Sequence, residues 1–137
     1  MPMLTVLLAA APSDGLAADV AADLLDLTTR LLHKRADLTA VAVQFVDPAH
    51  WFIGGAALVG APQHAAFVDV RISDETNTPA EKSRYIAAVF ATLGRRLGPL
   101  HAVSYVQVQD LRPTTWGWGG RTQAARALPL PAEAVSA

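Results

Sequence analysis

The chain has 137 residues, 52% hydrophobic and 17% charged, which is enough apolar material for one packed domain and too much for a disordered chain. Eleven Lys and Arg against twelve Asp and Glu leave a net charge of −1, so no long-range field draws nucleic acid or an anionic membrane. Cysteine is absent, which excludes disulfides, Cys–zinc sites, iron–sulfur clusters and a thiol nucleophile.

Met1 to Ser13 is apolar and then rich in small residues, like a secretory leader. It lacks the positive start of one: Pro2 stands where Lys or Arg belongs, and Thr5 interrupts a short run. A first strand explains the segment better, and a cytoplasmic protein is expected. No apolar run approaches the roughly 18 residues of a membrane span.

Met3 to Ala10 is a continuous apolar run, the pattern of a strand covered on both faces. Pro12 to Gly15 is turn chemistry, with Ser13 or Asp14 able to cap a helix. Leu16, Val20, Leu24, Leu27 and Leu31 then fall at helical spacing, which predicts a helix from Leu16 to about Arg35. His33, Lys34 and Arg35 close it, cations at the end that favours them. Leu38 to Val46 is β-branched and predicts a second strand.

The order then repeats. Ala65 to Ile72 reads as a strand with Phe67, Asp69 and Arg71 on one face and Val68, Val70 and Ile72 on the other. Thr78-Pro79-Ala80-Glu81 is a capping box with proline at the first helical position. Ile86, Val89, Phe90, Leu93 and Leu97 supply the stripe of a second helix, ended by Gly98-Pro99. Ala102 to Leu111 is the fourth strand. Trp51–Gly55 follows the second strand and Trp116–Gly120 follows the fourth.

The pattern predicts an α/β (α+β) fold: tandem β-α-β units forming a four-stranded sheet with two helices on one face. One domain spans 1–123, with pseudo-repeats 1–60 and 65–123. The Ala- and Pro-rich 124–137 reads as a C-terminal arm or flexible tail. Asp69, Arg71, Gln107 and Gln109 mark the uncovered sheet face as something other than plain core. Such a face usually has a partner, so oligomerisation is expected.

The chain has no Walker loop, G-x-G-x-x-G or G-x-S-x-G. His33, His50, His64 and His101 lack zinc-ligand spacing and read as surface or hydrogen-bonded residues. No metal and no organic cofactor is therefore expected. Pro2 differs from every other proline. Removal of Met1 would make its nitrogen a secondary amine, which can serve as a general base when desolvated beside cations.

Pro2 opening an apolar strand, the duplicated strand–helix–strand unit and the Trp-Gly-Gly element after each second strand together resemble the tautomerase superfamily. The likeness is to its 4-oxalocrotonate tautomerase and macrophage migration inhibitory factor-like proteins, in the double-unit length class. It runs from Pro2 to about Gln123. The resemblance implies that Pro2 is the catalytic amino-terminal proline. It implies that Lys34 and the backbone amide of Ile72 contact substrate, with Arg71 beside it as a carboxylate partner. Tyr105 and Gln107 match positions that line a neighbouring subunit's pocket, and a homotrimer follows from the same likeness. Trp51 and Trp118 wall the pocket or serve as packing.

Two departures matter. The second unit has no proline at its start, so one site per chain is expected. Asp110 and Asp69 are the nearest candidates for a water-activating carboxylate, and neither fits the family pattern well.

The leading expectation is a keto–enol tautomerase of a small 2-oxo or 2-hydroxy-dienoic acid, a small-molecule carboxylate. The alternatives are hydration, dehalogenation or decarboxylation of a three-carbon acid on the same fold, and a non-catalytic oligomeric binding protein. Neither nucleic acid nor a membrane is an expected partner.

Overall fold

A computed structural model describes residues 1–129. Its first unit contains β1 (Met3–Ala9), α1 (Asp14–Leu31) and β2 (Ala40–Val46), followed by a two-residue-strand hairpin, β3 (Phe52–Ile53) and β4 (Ala56–Ala57). The second unit repeats this with β5 (Ala66–Ser73), α2 (Pro79–Leu97), β6 (Tyr105–Leu111) and the hairpin β7 (Gly117–Trp118) and β8 (Arg121–Thr122). A single helical turn, α3 (Gln123–Arg126), ends the described fold. It occupies the start of the segment read as an arm, and residues 130–137 of that arm lie outside the described residues.

The sheet order is β2-β1-β5-β6. Within each unit the strands are parallel, β1 with β2 and β5 with β6, as a strand–helix–strand crossover requires. The units join through their first strands, which run antiparallel. Met3 faces Ala40 and Phe67 faces Tyr105, so Phe67 is the counterpart of Met3 and Ala66 that of Pro2.

Both helices cover one face of the sheet. Leu4, Val6 and Leu8 of β1 and Val68, Val70 and Ile72 of β5 are wholly buried there against Val20 and Leu24 of α1 and Val89 and Leu93 of α2. The α1 stripe follows the expected spacing, with Ser13 Oγ accepting from the Leu16 amide at the N-terminus. The helix is shorter than predicted. It ends at Leu31, and His33 adopts φ +58, so His33, Lys34 and Arg35 lie beyond its last turn.

In α2 the capping box forms as read: Thr78 and Glu81 exchange side-chain and backbone hydrogen bonds. Val89, Leu93 and Leu97 of the predicted stripe face the core, and the difference lies at its start, where Tyr85 replaces Ile86. Tyr85, Val89 and Leu93 face the core, while Ile86 is 36% exposed. Tyr85 can take the core position because its hydroxyl meets Thr28 Oγ1 at 2.7 Å, pinning α2 to α1.

Among the described residues, no layer covers the opposite sheet face. Met3, Thr5 and Leu7 alternate with the core residues of β1 and are only half-buried there, so the double covering expected for β1 is met on one face alone. Each short hairpin turns through two glycines with positive φ, Gly54-Gly55 in the first unit and Gly119-Gly120 in the second. Positive φ at both central residues is the tight hairpin geometry that matches strand twist. Among the described residues no helix is long and apolar enough to cross a membrane.

Candidate active site

Pro2 is buried at the mouth of the β1–β2 pair, where its carbonyl accepts the Ala40 amide at 3.2 Å. Pairing on the β2 side fixes the strand entry, so the amino terminus projects from the end of this interior strand into the space beside α1's exit. The terminal amine, carried here by Met1, has its pKa lowered from the ordinary 8.0 by burial first and by Lys34 second. Both causes disfavour the ammonium form.

Lys34 reaches this space because the chain turns sharply at His33. Its ammonium donates to Thr76 Oγ1 at 2.8 Å, and Thr76 in turn donates to the Ser73 carbonyl at 2.6 Å. Asn77 straps the same loop to the end of α1 through the Leu32 carbonyl, 3.0 Å away. Burial pulls the Lys34 pKa below 10.5, while Glu81 and Asp110 act against that shift. His33 Nε2 sits 3.0 Å from Glu81 Oε2.

A cavity of about 350 Å³ opens at this point. Met1, His33, Lys34, Arg35 and Leu38 form one wall, and Trp118, Gln123 and Arg126 form the other. Among the described residues, every ionisable side chain in that lining is a base and no carboxylate lines it. Arg126 stacks 3.6 Å above the centre of the Trp118 ring and donates to the Trp118 carbonyl at 2.8 Å. Among the described residues, Gln123 Oε1 and Arg126 Nε are buried without hydrogen-bond partners. The far wall comes from the second unit's hairpin and α3. Trp116, just before that hairpin, donates its indole N–H to the Met1 carbonyl at 3.0 Å.

The residues singled out from sequence fall into two groups. Lys34 lines the cavity together with Met1, the residue bonded to the Pro2 nitrogen. Arg71 lies opposite Met3 on the open sheet face, with its guanidinium bonded to buried Asp69 at 3.2 Å; it does not line the cavity. Ile72 turns its side chain into the core, leaving only its backbone for a ligand. Tyr105 and Gln107 stand on the open face of β6, level with Leu7 and Thr5. At about 3.3 Å per residue, Tyr105 is therefore about 17 Å farther along the sheet than Pro2. Tyr105 is 65% exposed.

The two acids are committed elsewhere. Asp69 also accepts from Gln109 at 2.9 Å, and Asp110 pairs with Lys82 at 2.5 Å. Trp118 does wall the cavity, whereas Trp51 packs against a small cluster of Ala9, Leu58 and Ala65. His64 contacts the Ala9 carbonyl at 3.2 Å and His101 accepts from the Val103 amide, consistent with hydrogen-bonded roles. Arg126, Gln123 and Trp116 were missed. Their only sequence signal is the Trp-Gly-Trp-Gly-Gly run, and nothing in it says that α3 folds back over the amino terminus.

The second unit carries no equivalent site. Ala66, counterpart of Pro2, is an internal residue whose amide donates to Ser104 Oγ at 3.2 Å. Gly98-Pro99 stands where the first unit has His33-Lys34, so the cation is missing too. A groove between α1 and α2 carries as many charges, but they satisfy one another: Arg96 with Asp23 at 2.6 Å and Arg30 with Asp26 at 2.8 Å.

No family model and no curated protein sequence matches the chain. Solved structures do. Native fused 4-OT is 25% identical and superposes with a TM-score of 0.76, covering 92% of this chain and 99% of that one. The F6 fused 4-OT, an asymmetric trimer, gives 20% identity and a TM-score of 0.79 over the same shares. Pt0534, inactivated by 2-oxo-3-pentynoate, gives 16% and 0.79, again over 92% and 99%.

Proposed function

The chain belongs to the tautomerase superfamily, and on that footing we propose that it is a keto–enol tautomerase of a small 2-oxo or 2-hydroxy-dienoic acid. Pro2, exposed as the amino terminus by loss of Met1, is its general base. The observation that carries this reading is the placement of the amino terminus. Met1 carries that terminus at a cavity whose ionisable side chains, among the described residues, are all bases, and burial and Lys34 both weaken the hold of the Met1 amine on a proton; the amine of Pro2 would stand one residue further in.

The reaction needs one proton carrier. The Pro2 nitrogen accepts the proton of the enol hydroxyl, and the oxygen's electron pair forms the carbonyl. The electrons of the carbon–carbon double bond then take a proton at carbon from the protonated Pro2. The amine is restored and the product is an isomer of the substrate. Lys34 and its cationic neighbours hold the carboxylate and stabilise charge that develops on oxygen. We extend the reading to a homotrimer in which Tyr105 and Gln107 reach a neighbour's pocket. The open sheet face and the trimeric F6 fused 4-OT support that extension.

The test uses protein whose intact mass shows Met1 removed. Ketonisation of phenylenolpyruvate should be rapid, and Pro2→Ala should lower it by about 10²-fold or more, the scale of a lost general base. Equal turnover by the two proteins would end the proposal. 2-Oxo-3-pentynoate supplies a second readout. Addition of the Pro2 amine across its triple bond should raise the mass of the amino-terminal peptide by one reagent. Adducts confined to lysine would count against Pro2.

A further inference from the structure

Trp116 is held where the amino terminus begins. Its carbonyl accepts the Gln123 amide at 2.7 Å, tying it to the start of α3. Gly117 follows, and its backbone lies so close to Arg121 that no side chain fits between them. The half-buried indole therefore has a fixed direction, and its N–H points to the carbonyl oxygen of Met1.

That oxygen occupies a telling position. Covalent geometry places an amide oxygen about 2.3 Å from the amide nitrogen, here the nitrogen of Pro2. Removing Met1 takes this oxygen away, frees the Pro2 amine and deprives the indole of its acceptor. A half-buried donor without a partner is costly, so an oxygen from ligand or water takes the place. The oxygen that exchanges a proton with Pro2 must itself lie within about 2.6–3.2 Å of that nitrogen. The two requirements meet in one small volume.

We infer that the Trp116 indole N–H is the donor to the substrate's 2-oxygen, the atom that gives its proton to Pro2, and that the Met1 carbonyl holds this oxygen's place in the unprocessed chain. The inference rests on the Pro2 reading above. Trp116 moves no proton. It stabilises the oxygen as the enol hydroxyl loses its proton, and the effect belongs to the chemical step more than to binding.

The variant is Trp116→Phe, which keeps an aromatic ring and deletes the donor. In processed protein, kcat for phenylenolpyruvate should fall about tenfold to a hundredfold with little change in KM, as for loss of one oxyanion donor. Inhibition should split by chemistry. Phenylpyruvate, which carries the 2-oxygen, should bind more weakly to the variant. 3-Phenylpropanoate, which lacks it, should bind both proteins equally.

An unchanged kcat, or equal weakening of both inhibitors, would overturn the inference. If Trp116→Phe does not fold, indole nitrogen–proton NMR of the wild-type protein decides. The Trp116 resonance, assigned with Trp51→Phe and Trp118→Phe, should shift with phenylpyruvate and stay in place with 3-phenylpropanoate. A resonance indifferent to both would refute the donor role. Failure of the Pro2 reading has a separate signature, since Pro2→Ala would then remain as active as wild type.

Discussion

Lys34 is half-buried, and its charge is the second cause, after burial, of the lowered pKa of the Met1 amine; a Pro2 amine one residue further in is expected to feel the same charge. A general base works only when deprotonated, so kcat/KM should rise with pH through the amine's pKa and then level. Lys34→Met removes a like charge. The ammonium form becomes less unfavourable, the amine pKa rises, and the acid limb moves to higher pH. The shift is partial because burial, the larger cause, remains. KM for a carboxylate substrate should rise in the same variant. An acid limb that stays put would separate Lys34 from the base. Pro2 was legible from its place behind Met1 at the start of an apolar strand, whereas Lys34 was singled out only through the family resemblance. Trp116 and Arg126 were not. Their roles depend on a hairpin and a helical turn folding back across the molecule, and no local pattern encodes that distance.

The two glycine hairpins show how one element acquires different constraints in each repeat. Gly54 and Gly119 share φ +59, so a side chain at either is strained by the backbone. Gly117 is limited by space instead. A Cβ there would lie 2.1 Å from the Arg121 carbonyl oxygen and 2.8 Å from the Thr122 Cα. Gly117→Ala must open the β7–β8 hairpin, displacing Trp118 from the cavity and Trp116 from the Met1 carbonyl. Activity should drop sharply. Gly55→Ala, with open space around it, should lose only about 1 kcal/mol of stability and little turnover. Equal effects of the two on kcat/KM would contradict this assignment of the second hairpin to the site.

Helix pairing carries its own prediction. Tyr85 is wholly buried and its pKa is pushed up to about 12 from 10.0 by burial, with its bond to Thr28 acting the other way. Between those pH values the folded chain holds a proton that the unfolded chain has lost. Stability should therefore be intact below pH 10 and fall as pH rises toward 12. Tyr85→Phe should flatten that alkaline decline while costing about 1 kcal/mol at neutral pH, measured by urea denaturation. An unchanged alkaline slope would assign the decline to other groups. The sequence pattern placed Val89, Leu93 and Leu97 correctly but took Ile86 in place of Tyr85, because apolar spacing alone cannot see that a tyrosine will find a threonine on another helix. The helix, its cap and its terminator were all local features and were read correctly.

At the scale of the whole molecule, the proposed homotrimer makes its test on the open sheet face. Leu7, Phe67 and Tyr105 form one row across β1, β5 and β6; Thr5, Asp69 and Gln107 form the next; Met3, Arg71 and Gln109 the third. The first row is apolar, and the second and third are tied by Asp69 to Arg71 and Gln109. An apolar row beside a satisfied polar network suits contact with another copy better than contact with water. Sedimentation should give about three times 14.4 kDa for the wild type, and Phe67→Glu should shift it toward one.

Subunit mixing tests whether the copies share a site. Pro2→Ala subunits retain Tyr105, and Tyr105→Ala subunits retain Pro2. Each variant alone should be nearly inactive. Trimers reassembled from both should regain activity, because some interfaces pair an intact Pro2 with an intact Tyr105. The distance between these residues within one chain makes such recovery specific to a shared pocket. No recovery, with mixed trimers demonstrated by mass, would confine the site to the amino terminus, Lys34 and the α3 wall of a single chain.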